Sequence, residues 1–253
     1  MEIGLNIFIF FLGTIVGSFL NVCIYRLPEK KSIISPGSHC PHCHTPIKWY
    51  DNIPLLSFIF LKGRCRYCQK PISWQYPLVE FITGFFTFLI YYCYGFSATG
   101  IIYLFFIYAL IVISFIDLKW QIIPDVISIP GIFCGLLASF LLPYLSFKEA
   151  LYGALLGGGI LFIVAYGYYL IKKKEGMGGG DVKLLAMIGA FLGWKAVPFV
   201  LFSASITGSM IGIFWILFYG KDRNFPIPFA PFLALGAIWV VFFPKSINLF
   251  LFY

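Results

Sequence analysis

The sequence predicts an all-α polytopic membrane protein of about eight transmembrane helices, with a small zinc-stapled loop domain between the first and second spans. Three observations carry this expectation. Of 253 residues, 60% are hydrophobic and only 11% are charged, against about 25% charged in soluble domains. The mean hydropathy of +0.92 is more apolar surface than a water-soluble globule of this length can bury. The charges that remain also divide the chain into uncharged runs long enough to cross a bilayer. A soluble enzyme, a disordered chain and a disulfide-stapled secreted module are thereby excluded.

The uncharged runs are 3–25, 81–116, 126–147, 150–171, 184–194, 196–220 and 224–244. The 81–116 run is too long for one span, and Gly95-Phe-Ser-Ala-Thr-Gly100 divides it into a hairpin. The spans expected are therefore about 3–25, 78–94, 100–116, 126–145, 149–171, 182–195, 197–219 and 228–251. The sixth is short and ends on Gly193 and Trp194. Grouped by domain, this gives a first transmembrane helix at 1–25, a loop domain at 26–77 and a seven-helix domain at 78–253.

Orientation follows from the basic residues. Fifteen of the eighteen Lys and Arg fall in one set of alternate loops, and only Lys148, Lys195 and Lys245 fall in the other. The positive-inside rule then puts both termini outside and the 26–77 loop in the cytoplasm. The net charge of +8 reads as this orientation signal, with membrane lipid and not nucleic acid as the partner. The first span is expected to stay attached and not be cleaved, because Arg26 follows the apolar run and no basic residue precedes it.

The 26–77 loop is too small for an independent core without a staple. Cys40-Pro-His-Cys43 and Cys65-Arg-Tyr-Cys68 supply one, separated by 21 residues. Two such knuckles read as a tetrahedral four-cysteine zinc site, and a reducing cytoplasm disfavours the alternative of disulfides. His39, His42 and His44 crowd the first knuckle as a solvated shell. Cys23, Cys93 and Cys134 fall in spans as apolar packers. Trp49-Tyr50-Asp51-Asn52-Ile53-Pro54 and Ile72-Ser73-Trp74-Gln75-Tyr76-Pro77 read as interfacial aromatics.

The ten acids sort into two groups. Glu2, Glu29, Asp51, Glu149, Glu175 and Asp222 read as solvated charges, whereas Glu80, Asp117, Asp125 and Asp181 each stand at the cytoplasmic end of a span. A charge there is costly unless the helix end opens to water or a partner. Asp125 follows Pro124 in a position suited to an N-cap. Asp181 follows Gly178-Gly179-Gly180, a run that permits close backbone approach. Two aspartates from different helices can perform aspartic-protease chemistry: one deprotonates a water, the other, still protonated, polarises the scissile carbonyl. Such a pair shares one proton.

These residues together resemble the type IV prepilin peptidases, the leader peptidase and N-methyltransferase family of GxGD-type aspartic peptidases. The resemblance runs from Gly17-Ser-Phe-Leu-Asn-Val22 and Arg26-Leu-Pro28 through both cysteine pairs, Trp49 to Pro54 and Tyr76-Pro-Leu-Val-Glu80. It continues with Asp117 and Pro124-Asp125, the motif Gly178-Gly179-Gly180-Asp181 with Val182-Lys183-Leu184, then Gly189 to Gly193 and Pro228-Phe-Ala-Pro-Phe232, where Ala230 replaces a common glycine. The resemblance implies that Asp117 and Asp181 are the catalytic pair, with Asp125, Gly178 and Gly180 supporting. Lys183 is read as inside charge more than as a tuner of the pair. It also implies a prepilin or pseudopilin substrate, cut after a glycine at the cytoplasmic face of the bacterial inner membrane. The new N-terminal residue is then methylated with S-adenosylmethionine. No G-x-G-x-x-G follows a strand, so Gly63 and Glu80 stand as the methyltransferase candidates.

Three other readings compete. An intramembrane GxGD protease without methyl transfer shares the aspartates. A proton-coupled transporter explains membrane acids but requires related halves, and no internal repeat is apparent. A zinc-bearing membrane scaffold leaves Asp117 and Asp181 unused.

Overall fold

The computed structural model describes residues 2–173, 178–219 and 227–244. The chain divides after Leu104 into two compact units. The first holds α1 (Glu2–Arg26), a 3-10 turn at Trp49–Asn52, α2 (Leu56–Phe60) and α3 (Gln75–Tyr94). The boundary falls inside α4 (Ala98–Trp120), after which come α5 (Asp125–Ala138), α6 (Phe147–Lys172), α7 (Gly179–Leu192), α8 (Ala196–Tyr219) and α9 (Ala230–Phe242). The described residues are helical throughout apart from turns and two isolated bridges in the loop.

Each of the eight expected spans coincides with a helix, but they are not of equal reach. Helices α1, α3, α4, α6 and α8 are long and apolar enough to cross a bilayer. Helices α5, α7 and α9 have 14, 14 and 13 residues. The fourth expected span, 126–145, ends at Ala138: Ser139 turns its hydroxyl back onto the Leu136 carbonyl, and Pro143 cannot continue a helix. The end of the expected eighth span, 245–251, lies outside the described residues, as do Lys174, Glu175, Lys221, Asp222, Arg223 and Lys245. Glu149 is more than a solvated charge, since Ser146 and Glu149 cap each other reciprocally at the start of α6.

Small residues set the helix packing, as expected where lipid offers no hydrophobic drive for association. In the first unit Gly13 and Gly17 of α1 face Gly84, Thr83 and Thr87 of α3; a Cβ at Gly17 would lie 2.7 Å from the Glu80 backbone. In the second unit α7 is the core, buried continuously from Leu184 to Phe191. Gly153 and Gly157 of α6 lie directly on the α7 backbone at Gly189 and Leu185, and Gly131 and Gly135 of α5 lie on Met187 and Ala190. Helix α4 reaches the same core through Phe106, stacked on Phe191 at 4.5 Å.

A repeat that the sequence analysis missed lies inside the loop. Cys40-Pro-His-Cys43-His-Thr-Pro-Ile-Lys-Trp49 and Cys65-Arg-Tyr-Cys68-Gln-Lys-Pro-Ile-Ser-Trp74 share a C-x-x-C-x-x-P-I-x-W pattern. The folds match bond for bond. Cys40 N–H donates to Thr45 and His44 N–H to Cys40; Cys65 N–H donates to Lys70 and Gln69 N–H to Cys65. His44 and Gln69 both take positive φ. The loop is two copies of one knuckle.

Candidate active site and metal centre

The four cysteine sulfurs lie within 4.8 Å of one another, one ligand atom per residue, and can hold a metal ion. Cys40 and Cys68 Sγ are 3.8 Å apart, and Cys43 and Cys65 Sγ are 4.0 Å apart. The knuckle backbones are shaped for thiolates. The Thr45 hydroxyl and N–H bring the Cys43 thiol down to about 6, and the Cys68 and Tyr67 N–H groups lower Cys65. Cys68 receives the Lys70 N–H, but burial and its three sulfur neighbours outweigh it and push its thiol up to about 11. Four sulfurs gathered in this way suit a bound cation, which would hold all four as thiolates. Among the described residues no histidine joins the cluster: His39 bonds the Gly37 carbonyl and stacks on His44.

Gly63 and Glu80 both have visible structural work. Gly63 takes φ +66°, and a Cβ there would meet the Phe58 ring at 3.0 Å. Glu80 is 8% exposed, and its Oε2 accepts the Leu55 N–H at 2.8 Å. Arg26, also buried, draws the loop back by donating to the carbonyls of Ser32 and Pro36.

In the second unit Asp117 stands in the last turn of α4, 6% exposed. Its Oδ2 accepts the N–H of Ala230 at 3.0 Å, and Phe229 N–H is also directed at it. Ala230 opens α9, so the carboxylate meets N–H groups that have no partner within their own helix. The Pro-Phe-Ala-Pro-Phe segment noted in the sequence thus acquires a role through its backbone, which no side-chain pattern reveals.

Asp181 sits half-buried in the first turn of α7, near enough to Asp117 for the two carboxylates to interact electrostatically. Of the three glycines before it, Gly178 is the N-cap, and Gly180 is the one packed tightly, its absent Cβ directed at Ile123 at 2.8 Å. That contact seats the start of α7 on the linker joining α4 to α5. Asp125 is not the N-cap expected of it. Pro124 takes that place, and Asp125 instead pairs with Lys183 at 2.7 Å. The Lys183–Asp125 pair ties α7 to α5.

Two family models together match about three quarters of the chain, and they part close to where the two compact units part. Residues 11–94 match the Bacterial Peptidase A24 N-terminal domain, and residues 104–213 match the Type IV leader peptidase family. A prepilin leader peptidase/N-methyltransferase of Aeromonas hydrophila is 38% identical over 92% of this chain and 88% of its own length.

The chain belongs to the type IV leader peptidase family.

Other members include proteins of the same description from Myxococcus xanthus, 41% identical over 85% of this chain and 64% of its own, and from Pseudomonas aeruginosa, 34% identical over 90% and 87%. No solved structure matches the chain. Family membership and the apolar helices make this a multi-pass protein of the inner membrane.

Proposed function

We propose that this chain cleaves the leader of type IV prepilins and pseudopilins at the cytoplasmic membrane face and methylates the new N-terminal residue. The observation that carries the peptidase half is the convergence of Asp117 and Asp181 from α4 and α7, with the α9 N-terminus on one of them. Backbone N–H donors stabilise a carboxylate more than a neutral carboxyl, so we assign Asp117 the ionised form and Asp181 the shared proton.

The chemistry follows from that division. Asp117 takes a proton from water as the hydroxide oxygen bonds to the scissile carbonyl carbon, while Asp181 donates its proton to the carbonyl oxygen. The resulting gem-diol collapses: Asp181 recovers a proton from one hydroxyl, Asp117 passes its proton to the leaving amine, and the C–N bond breaks. Leader acid and free pilin amine are the products, and the pair returns to its starting state. Methyl transfer would then form an N–CH3 bond as the S–CH3 bond of S-adenosylmethionine, a second substrate, breaks, releasing S-adenosylhomocysteine and a proton.

Zinc is the ion we assign to Cys40, Cys43, Cys65 and Cys68. Bonds of about 2.3 Å in a tetrahedron require sulfurs about 3.8 Å apart, close to the two separations above. Its role there is structural, holding the paired knuckles of the 26–77 module together. The basic-residue asymmetry supports termini outside and this loop in the cytoplasm, with the 78–253 helices as the peptidase portion.

Incubating purified protein with a prepilin and isotopically labelled S-adenosylmethionine, then weighing the products, tests both halves. Loss of the leader mass and gain of one labelled methyl are expected. An uncut prepilin overturns the peptidase reading; a cut but unmethylated pilin reduces the chain to a GxGD protease. Metal analysis should give about one zinc per chain.

A further inference from the structure

Residues 52–61 are uncharged, although Lys48, Lys62, Arg64 and Arg66 flank them in the most basic segment of the chain. Two contacts set the depth of this stretch. Glu80 lies five residues into α3, about 7 Å along its axis, where its carboxylate holds the Leu55 N–H and meets Ser18 of α1. Independently, Asn52, Ile53 and Pro54 share a cavity of about 510 Å³ with Ser18, Phe19 and Phe11 of α1. Ser18 stands eight residues before the end of α1, about 12 Å along the axis. The 20 residues of α3 measure about 30 Å, the thickness of the hydrocarbon core. With the interfacial residues up to Pro77 set outside the core, both contacts fall just inside the boundary of that layer.

The backbone at this depth reverses sharply. Leu56 N–H donates to the Pro54 carbonyl at 2.6 Å across Leu55, whose φ of 60° and ψ of −49° make a γ-turn of the rare positive-φ kind. A leucine held there is strained, and such strain persists only where neighbours over-determine it. The Glu80 carboxylate on the Leu55 N–H is that neighbour. From the reversal, α2 runs with its backbone satisfied: Ser57 donates to Ile53, Ile59 to Leu55 and Leu61 to Ser57. This is the condition for irregular chain at membrane depth. Phe58 packs on Trp74, the residue that precedes α3, while Ile59 and Phe60 are 67% and 79% exposed.

We propose that residues 53–60 form a re-entrant segment that dips into the bilayer on the loop side and presents Leu56, Ile59 and Phe60 to lipid acyl chains. Acyl chains are the occupant because the segment lies at hydrocarbon depth, is free of charge, and is bracketed by lysines and arginines able to snorkel to the headgroups. The buried carboxylate of Glu80 is then the brace of the re-entrant turn. The inference rests on α1 and α3 spanning the membrane and not on which reaction the chain performs.

Photocrosslinking tests it. The full chain, carrying p-benzoyl-phenylalanine at position 59, 60 or 70, is placed in nanodiscs of phosphatidylethanolamine and phosphatidylglycerol without prepilin, irradiated and weighed. Phospholipid adducts at 59 and 60, and none at the exposed loop position 70, are the expected result. Absence of lipid adducts at 59 and 60, adducts only to the chain itself, or equal labelling at all three positions overturns the proposal. Metal content reports whether each variant has folded; where the bulky probe disturbs it, photo-leucine at the same positions gives the same reading. Leader cleavage by the same samples is scored separately, so lipid labelling and the peptidase reading stand or fall apart.

Discussion

The Asp117 carboxylate accepts the backbone N–H of Ala230 at 3.0 Å, across 113 residues of sequence. One oxygen of the residue proposed as general base is thus also the cap of α9, so chemistry and helix termination share one side chain. Asp181 has no such second duty toward α9 in the proposed division of roles.

That asymmetry separates the two aspartates experimentally. Asp117→Asn and Asp181→Asn are each expected to reduce leader cleavage by about 10²–10⁴-fold. Asp117→Ala should in addition destabilise the second unit by about 1–3 kcal/mol, because it leaves buried N–H groups unpaired, whereas Asp181→Ala should not. Initial rates on a prepilin and denaturation in detergent measure the two effects. Near-normal cleavage by either Asn variant would remove that residue from the catalytic pair.

Glu80 permits a similar separation between structure and methyl transfer. Glu80→Gln retains an acceptor for Leu55 and should keep stability close to that of the parent. Glu80→Ala should cost about 1–3 kcal/mol for the orphaned N–H. If Glu80 also contacts the methyl donor, the Gln variant loses methylation at unchanged stability and unchanged cleavage. Normal methylation by a stable Gln variant confines the residue to its bracing role.

The α6–α7 seam has no room for a side chain. A Cβ on Gly153 would strike the Gly189 carbonyl oxygen, and neither backbone can yield without moving its helix. Gly153→Ala is expected to destabilise by about 1–3 kcal/mol or more, while Gly159→Ala, with open space around it, should be close to neutral. Melting temperatures of the two variants make the comparison; equal melts would contradict this packing.

In the loop, Arg66 grips Asp51 through Nε at 2.8 Å and its terminal nitrogen at 2.6 Å, and this holds the Asp51 carboxyl below its ordinary value. A carboxyl held low in the fold stabilises it above the unfolded value of about 4 and loses that contribution as pH falls. Asp51→Asn should therefore lower module stability at pH 7, with the difference from the parent narrowing below about pH 4. Protonation of the four-cysteine cluster at acid pH affects both proteins, so the quantity to read is the difference, followed by tryptophan fluorescence. A difference that grows on acidification would contradict the assignment.

How much of this was legible in the sequence depends on what each feature is made of. Apolar runs and sparse charge located every described helix except α2 and the 3-10 turn in the loop, because a bilayer leaves few alternatives. The cysteines were readable because ligand spacing is local. The Ser146–Glu149 cap was within reach of pattern reading, as was the repeated knuckle, had the comparison been made inside the loop and not between halves of the chain. What was not legible comes from backbone geometry: the Ala230 N–H on Asp117, the reversal at Leu55, and Pro124 taking the cap position expected of Asp125. None of these is encoded by the residue type that performs it. The length of α5 was overestimated because hydropathy continues past the point where Ser139 ends the helix, whereas α7 has the 14 residues of the short span expected there.

Those lengths have a consequence for the membrane itself. At about 1.5 Å per residue, α5, α7 and α9 reach only some 20 Å, roughly 10 Å less than the hydrocarbon core. Asp125, Gly179 and Ala230 open these three helices, so each begins at the face that carries the aspartate pair. Beside α4, α6 and α8, which are long enough to span, these short helices make a local hydrophobic mismatch, met by thinning of the lipid or by water at the helix starts. A scissile peptide bond beside an apolar pilin helix then meets water without the substrate leaving the bilayer, and the thickness of the surrounding membrane becomes a determinant of how readily it does so.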